Sequence, residues 1–160
     1  MNHKQIRGLI DHVLKKIGLY SKQASELVFL TGLAESRYEY IRQIGSGPAV
    51  SPFQVESATA FDVCKNYLYY RKPLARSIAS TLFIPVDAIF EPDKEMLKEL
   101  LWYNIAAGAI FCRLVYRRVP SPLPIGLEGI ASYWKDNYNT ALGKGTVAHF
   151  IELANLRRDK

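Results

Sequence analysis

The chain has 160 residues, of which 49% are hydrophobic and 22% charged, and its formal net charge is +6. This composition excludes a disordered chain, and the length suits one domain, residues 1–160, with a core of its own. The positive charge favours an anionic partner, but the basic residues are dispersed, which argues against a specific nucleic-acid interface.

The first 35 residues predict two helices. Apolar residues recur at helical spacing from Ile6 to Ile17, and Gly18 ends that pattern. Ser21 then offers an N-cap for a second, strongly apolar helix that ends near Glu35.

The next region, residues 38–54, has no helical period. Its first part, residues 38–44, alternates loosely between apolar and polar side chains, which predicts a short strand or a hairpin. Two glycines and two prolines between Gly45 and Pro52 predict turns.

The remainder of the chain predicts further helices at about residues 57–70, 74–82, 94–118, 127–137 and 146–156. Pro73 permits the start of the second of these, and Asp93 is a suitable N-cap for the third. Residues 83–92 predict a connector, and prolines exclude residues 119–124 from a helix interior. The pattern predicts a mainly α fold with a short β-hairpin or irregular loop near residues 38–54.

Cysteine, histidine and hydropathy patterns predict no metal site, no cofactor and no membrane insertion. Cys64 and Cys112 lie within apolar helical patterns and the three histidines are scattered, so we expect small core cysteines rather than metal ligands. Residues 100–116 are apolar but contain Asn104 and Arg113, and they fall short of the roughly 20 residues that a spanning helix needs. The polar start of the chain predicts no signal peptide.

Glu35 is the residue most suggestive of chemistry. It closes an apolar helical run, and a turn-rich segment follows about a dozen residues later. A carboxyl that burial keeps protonated near neutrality serves as a general acid, whereas a helix-terminal glutamate in water has no such role.

Further patterns follow the Glu35-Ser36 pair along the chain. The turn-rich segment ends in Phe53-Gln54, and the helix predicted at residues 94–118 contains Asn104-Ile105 and then Gly108. An aromatic-rich stretch follows at residues 133–139.

These patterns, in this order, resemble the motifs of the lysozyme-like superfamily, specifically its lytic transglycosylase and goose-type lysozyme branch. Residues 53–71 and 138–146 look like a phage-encoded subgroup, and the resemblance covers about residues 25 to 155. Ser51-Pro52 departs from the family's Gly-Leu. Tyr133 is followed by Trp134 where the family has a Tyr-Asn pair, so Tyr138-Asn139 is a rival match.

The resemblance implies a lysozyme-like fold and a muramidase that cleaves peptidoglycan with one glutamate. Glu35 would act as acid and then as base, because the substrate's own N-acetyl group attacks the anomeric carbon. Gln54 would orient the substrate, and Ser36 would position the acetamido group or stabilise the loop after Glu35. Asn104, Tyr133 and Tyr138 would bind substrate, with a structural amide and aromatic core packing as the alternatives for these three.

Other interpretations of the sequence remain open. Glu39, Glu56 or Asp62 would supply a second carboxylate for inverting hydrolysis if one of them lay about 6.5–9.5 Å from Glu35. A second hypothesis is a catalytically inactive structural component of a phage virion or tail, motivated by Ser51-Pro52. A third, a basic helical DNA-binding module, is disfavoured because the basic residues do not cluster on one helix.

The expected partners are bacterial peptidoglycan glycan strands and other virion proteins. We expect the protein in a phage virion, or in the host cytoplasm before its release to the cell wall.

Overall fold

The computed structural model describes residues 1–141 and 143–158, and it confirms the mainly α fold with a short β-hairpin. The helices are α1 His3–Lys16, α2 Lys22–Ser36, α3 Ser57–Asn66, α4 Lys72–Leu82, α5 Asp87–Phe90, α6 Lys94–Tyr103, α7 Ile105–Arg117, α8 Gly126–Trp134 and α9 Val147–Arg158. The hairpin consists of β1 Ala49–Val50 and β2 Val55–Glu56.

Helix α2 lies at the centre of the fold because its sequence is apolar on nearly every side. It packs against α1, α7, α8 and α9, and most of its residues between Ala24 and Leu33 are buried. The predicted N-cap is confirmed, since Ser21 Oγ accepts a hydrogen bond from Ala24 N at 3.0 Å. The helix ends at Ser36, where Arg37 adopts the left-handed conformation with φ 54°.

The hairpin lies later in the chain than the alternating pattern predicted. Val50 pairs with Val55 in the antiparallel register, and residues 38–44 contribute only an isolated bridge between Arg42 and Val50. The strand expectation for residues 38–44 was wrong in its bounds because Tyr38 is left-handed, with φ 57°, and folds under α2 instead of extending.

The long helix predicted for residues 94–118 is two helices, α6 and α7, divided at Asn104. The backbone of Asn104 is extended, and its Oδ1 accepts hydrogen bonds from Ala106 N at 2.9 Å and Ala107 N at 3.2 Å. The side chain therefore caps α7 instead of continuing α6. Hydrophobic spacing alone did not reveal this break, because apolar residues continue on both sides of it.

Smaller differences concern helix ends. α3 stops at Asn66 and a 3₁₀ turn, Leu68–Tyr70, follows, while the predicted connector contains the short helix α5. α8 gives way to a π-helical turn, Lys135–Asn139, and residues 119–124 are not helical, as the prolines predicted.

Both cysteines are free and buried, as expected for core residues. Burial raises the pKa of the Cys64 thiol to about 12 and raises that of Cys112 further. Over the described ranges no helix combines the length and the apolar character that crossing a membrane requires.

A glycine in α2 makes room for the ring of Tyr38. A Cβ on Gly32 would stand 2.6 Å from Tyr38 Cζ and 2.8 Å from Cε1. The buried ring stacks on Phe29, with ring centroids 5.3 Å apart, and its hydroxyl donates to Phe29 O at 2.7 Å. The ring therefore has no room to move, and it anchors the turn after Glu35 to the helix before it.

We predict that Gly32→Ala lowers the free energy of unfolding by about 1–2 kcal/mol, because overpacking against Tyr38 exceeds the helix-propensity gain of alanine. Gly8→Ala in α1 is the matched control. A Cβ there meets nothing within 4 Å, so this change should stabilise the protein by roughly 0.5–1 kcal/mol. Urea denaturation of both variants measures the difference, and equal stabilisation by both would contradict the packing of Tyr38 described above.

Candidate functional site

Glu35 lies on a cleft of about 1050 Å³ at one end of α2. The walls come from the end of α2 and residues 40–44, from the hairpin, from Trp134, from residues 138–140 and 143–145, and from the start of α9. The cleft is large enough for an extended ligand and is open to solvent along one side.

The carboxyl of Glu35 is half-buried and has one side-chain hydrogen-bond donor. Trp134 Nε1 donates to Glu35 Oε1 at 2.8 Å. Burial raises the pKa of Glu35 from 4.5 to about 7, and the bond from Trp134 opposes that rise by stabilising the carboxylate. Glu35 therefore exchanges a proton near neutrality, which is what a general acid and base requires.

Trp134 is itself held rigidly. Its ring packs on Phe150, with ring centroids 5.0 Å apart, and a Cβ on Gly145 would stand 3.1 Å from Trp134 Cζ2. Trp134 belongs to the aromatic-rich stretch at residues 133–139, and it lines the cleft. No sequence signal indicates its bond to Glu35, because that bond depends on how α8 packs against α2.

Ser36 is buried, and both of its hydroxyl contacts are to the backbone. Its Oγ donates to Gly32 O at 3.1 Å and accepts from Tyr38 N at 3.0 Å. Of the two roles expected for Ser36, this geometry favours stabilising the loop after Glu35 over contacting an acetamido group.

Gln54 lies on the cleft at the end of a tight turn. Gln54 N donates to Ser51 O at 3.1 Å, its Nε2 donates to the same oxygen at 2.8 Å, and Ser51 and Gln54 both have positive φ. The unusual Ser51-Pro52 pair is accommodated because α7 carries a glycine beneath it. A Cβ on Gly108 would stand 2.8 Å from Ser51 Cβ.

Tyr138 also lies on the cleft, and its hydroxyl donates to Phe53 O at 2.7 Å. Its ring stacks on Tyr116, with ring centroids 5.2 Å apart, and Tyr116 in turn bonds Thr31 Oγ1 at 2.7 Å inside the core. Tyr138 thus ties the turn that carries Gln54 to the π-helical segment, and Asn139 beside it lines the cleft as well.

The structure does not bring Asn104 and Tyr133 to the cleft. Asn104 caps α7, and Tyr133 also stacks on Tyr116, with ring centroids 5.6 Å apart and its hydroxyl buried. The substrate-binding expectation for these two residues is therefore replaced by the structural alternatives: a capping amide and a core aromatic ring. Between the rival matches for the Tyr-Asn pair, the geometry favours Tyr138-Asn139.

Of the three candidate second carboxylates, only Glu56 lines the cleft. Asp62 forms an ion pair with Arg118 and accepts from Asn66, and these hydrogen bonds lower its pKa. A grouping of three or more His, Cys, Asp or Glu side chains suited to a metal ion does not occur within residues 1–141 and 143–158.

Comparisons of the chain with protein-family models, with curated proteins and with solved structures find no match.

The raised pKa of Glu35 predicts a pH-dependent effect of Glu35→Gln on stability. Below about pH 4.5 the carboxyl is protonated in both the folded and the unfolded state, so the two proteins should be similarly stable. Between about pH 4.5 and pH 7 the unfolded chain releases this proton while the folded protein retains it, so wild type loses stability as pH rises. Above about pH 7 the loss is complete and amounts to about 3 kcal/mol, which the glutamine variant does not lose.

Urea denaturation of wild type and Glu35→Gln at pH 4 and pH 8.5 measures this. We expect the variant to be the more stable protein at pH 8.5 only. The exposed Glu99→Gln in α6 is the control for loss of a carboxylate elsewhere. A difference between wild type and Glu35→Gln that does not change with pH would rule out a desolvated Glu35.

Proposed function

We propose that this protein cleaves the glycosidic bond between N-acetylmuramic acid and N-acetylglucosamine in bacterial peptidoglycan, with Glu35 as its acid and base. The observation that carries the proposal is the Glu35 carboxyl, whose pKa burial raises to about 7 on the wall of an open cleft. Gln54 and Tyr138 lie on the same cleft, in support of the motif resemblance described above.

The proposed reaction needs one protein carboxyl. Protonated Glu35 donates its proton to the glycosidic oxygen, and the bond from that oxygen to the anomeric carbon breaks. The carbonyl oxygen of the sugar's own acetamido group forms a bond to the anomeric carbon. Glu35, now a carboxylate, then takes a proton from the sugar's 6-hydroxyl or from water. The oxygen that loses the proton bonds to the anomeric carbon as the bond from that carbon to the acetamido oxygen breaks, which gives a 1,6-anhydro ring or a reducing end and restores the acetamido group.

The other residues of the cleft would position the glycan. Gln54 is held by its bond to Ser51 O and lies on the cleft wall. Tyr138 and Asn139 lie on the same cleft, so a strand bound there would contact both the hairpin turn and the π-helical segment. Trp134 would keep the carboxyl aimed and stabilise it once the proton has left.

A virion-associated or lysis protein of a bacteriophage is the setting we propose, on the resemblance of residues 53–71 and 138–146 to a phage-encoded subgroup. The proposed partners are peptidoglycan glycan strands and other virion proteins. The same fold without activity, as a virion or tail component, is the alternative that the following experiment decides.

Glu35→Gln should abolish the clearing of purified peptidoglycan suspensions, with a loss of about 10²-fold or more, because glutamine cannot donate a proton. Turbidity loss at pH 6 measures the rate, and Glu99→Gln should clear like wild type. Equal clearing by wild type and Glu35→Gln would remove Glu35 from the mechanism. If wild type and the variant both leave the suspension unchanged, the inactive component is the better assignment.

Glu56→Gln separates a one-carboxyl from a two-carboxyl mechanism. If Glu35 acts alone, this variant should keep most of its activity, and anhydro ends found by mass spectrometry of the products would exclude inverting hydrolysis. A loss as large as that of Glu35→Gln would instead assign Glu56 as the second carboxylate of an inverting hydrolase.

The pH dependence of kcat/KM should follow the protonation of Glu35. We expect a plateau below about pH 6 and a fall of about tenfold per pH unit above about pH 7, as the acid loses its proton. Trp134→Phe removes the donor that lowers the pKa of Glu35, so the falling limb should move to higher pH. A limb that stays in place, or moves to lower pH, would contradict the bond between Trp134 and Glu35.

A further inference from the structure

The cleft around Glu35 carries more positive than negative side chains. Arg37, Arg42 and Lys144 line it together with the carboxyls of Glu35 and Glu56. In residues 1–141 and 143–158, neither Arg37 nor Arg42 forms an ion pair with a carboxylate. Both residues are exposed and line the cleft.

Arg42 is held in place at the cleft edge. Its guanidinium lies over the ring of Trp102, 4.5 Å from the ring centroid, and its backbone forms a bridge with Val50 of β1. A cation whose orientation is already restricted loses little conformational entropy when it binds an anion.

Arg37 occupies a backbone position where glycine would be the more stable choice. It is the C-cap of α2 with φ 54°, two residues after Glu35, and its N–H donates to Leu33 O. A bulky residue in this conformation is strained, so the presence of arginine here is not explained by the stability of the helix end.

We propose that Arg37 and Arg42 make the cleft selective for glycan strands that carry carboxylate groups. This inference rests on the glycosidase function proposed above and adds a specificity to it. Guanidinium groups pair with carboxylates through two parallel hydrogen bonds, and peptidoglycan carries carboxylates on its peptide stems and on any muramic acid that lacks a stem. A neutral polymer of N-acetylglucosamine offers the same ring shape without those charges.

Steady-state kinetics of Arg37→Gln and Arg42→Gln test the proposal. With soluble peptide-bearing glycan strands, each variant should raise KM about fivefold and leave kcat nearly unchanged. A fivefold change is the upper range of what a partly exposed ion pair contributes to binding. With neutral N-acetylglucosamine oligomers, KM should not change. Arg76→Gln removes the same charge from the exposed face of α4, away from the cleft, and should behave as wild type on both substrates.

A stability measurement separates specificity from a structural role of Arg37. Arg37→Gly should raise the urea midpoint, since glycine adopts positive φ without strain, and should still raise KM for the charged strands. If Arg37→Gly lowers stability and impairs charged and neutral substrates alike, the role of Arg37 is structural and the proposal is overturned for that residue.

A binding measurement with a protein that lacks the catalytic carboxyl tests the charge selectivity independently of catalysis. The Glu35→Gln protein should sediment with insoluble peptidoglycan. A second substitution in that protein, Arg37→Gln or Arg42→Gln, should weaken this binding about fivefold, whereas Arg76→Gln as the second substitution should not. Equal binding by all of these variants overturns the charge selectivity even if wild type is an active glycosidase. Selective binding without cleavage by wild type would support the cationic subsite and overturn only the glycosidase.

The source of the carboxylate is tested by removing the peptide stems with an amidase, which turns the lactyl amide of each muramic acid into a free carboxylate. Retention of the fivefold effect on these strands shows that the arginines also bind the lactyl carboxylate. Its loss assigns them to the peptide stem alone. An effect that is equally large on neutral oligomers contradicts both assignments and the proposal.

Discussion

The hydrogen bond from Trp134 to Glu35 is the constraint on which the cleft depends. It joins residues that are 99 positions apart, and so it requires α2 and α8 to pack in one relative position. Phe150 in α9 and Gly145 fix the indole from the other sides, which extends the constraint to the last helix. The same bond opposes the effect of burial on the pKa of Glu35, so a value of about 7 reflects a balance between desolvation and one donor. Burial without the donor would hold the proton more tightly and make its release harder.

Two turns beside the cleft are positioned by side chains that fit against glycines in different helices. Gly32 admits the ring of Tyr38, which anchors the chain after Glu35, and Gly108 admits Ser51, which positions the turn before Gln54. Both turns are then linked through the core, because the ring of Phe53 in the second turn lies edge-on to Tyr38 and its carbonyl accepts a hydrogen bond from Tyr138. The position of Gln54 relative to Glu35 is therefore a consequence of close packing in the core rather than of flexible surface loops.

Sequence patterns predicted the helices and the hairpin region but not which face of each helix meets the cleft. Apolar spacing and the N-cap at Ser21 were sufficient to predict α2, because both signals are local in the sequence. Asn104 was assigned to a helix interior because its neighbours are apolar on both sides, and only its side-chain bonds to the next turn reveal a cap. Tyr133 and Trp134 are adjacent in sequence, and about 100° of helix rotation directs one ring to Tyr116 and the other to Glu35. That difference depends on how α8 packs against α2, which no local pattern specifies.

The distribution of backbone strain gives a reason, independent of motifs, to place function at this cleft. Within the described ranges, the non-glycine residues with positive φ are Arg37, Tyr38, Ser51, Gln54, Phe83 and Thr140. Arg37, Gln54 and Thr140 line the cleft, and Tyr38 and Ser51 belong to the two turns that form it. Each such conformation costs roughly 1–2 kcal/mol relative to a right-handed one, which glycine would avoid. Phe83 shows that a helix end alone can produce a strained residue, since it is the C-cap of α4 and lies away from the cleft. Five of these six residues therefore lie on the cleft or in the two turns beside it, and such strain clusters at functional sites in proteins.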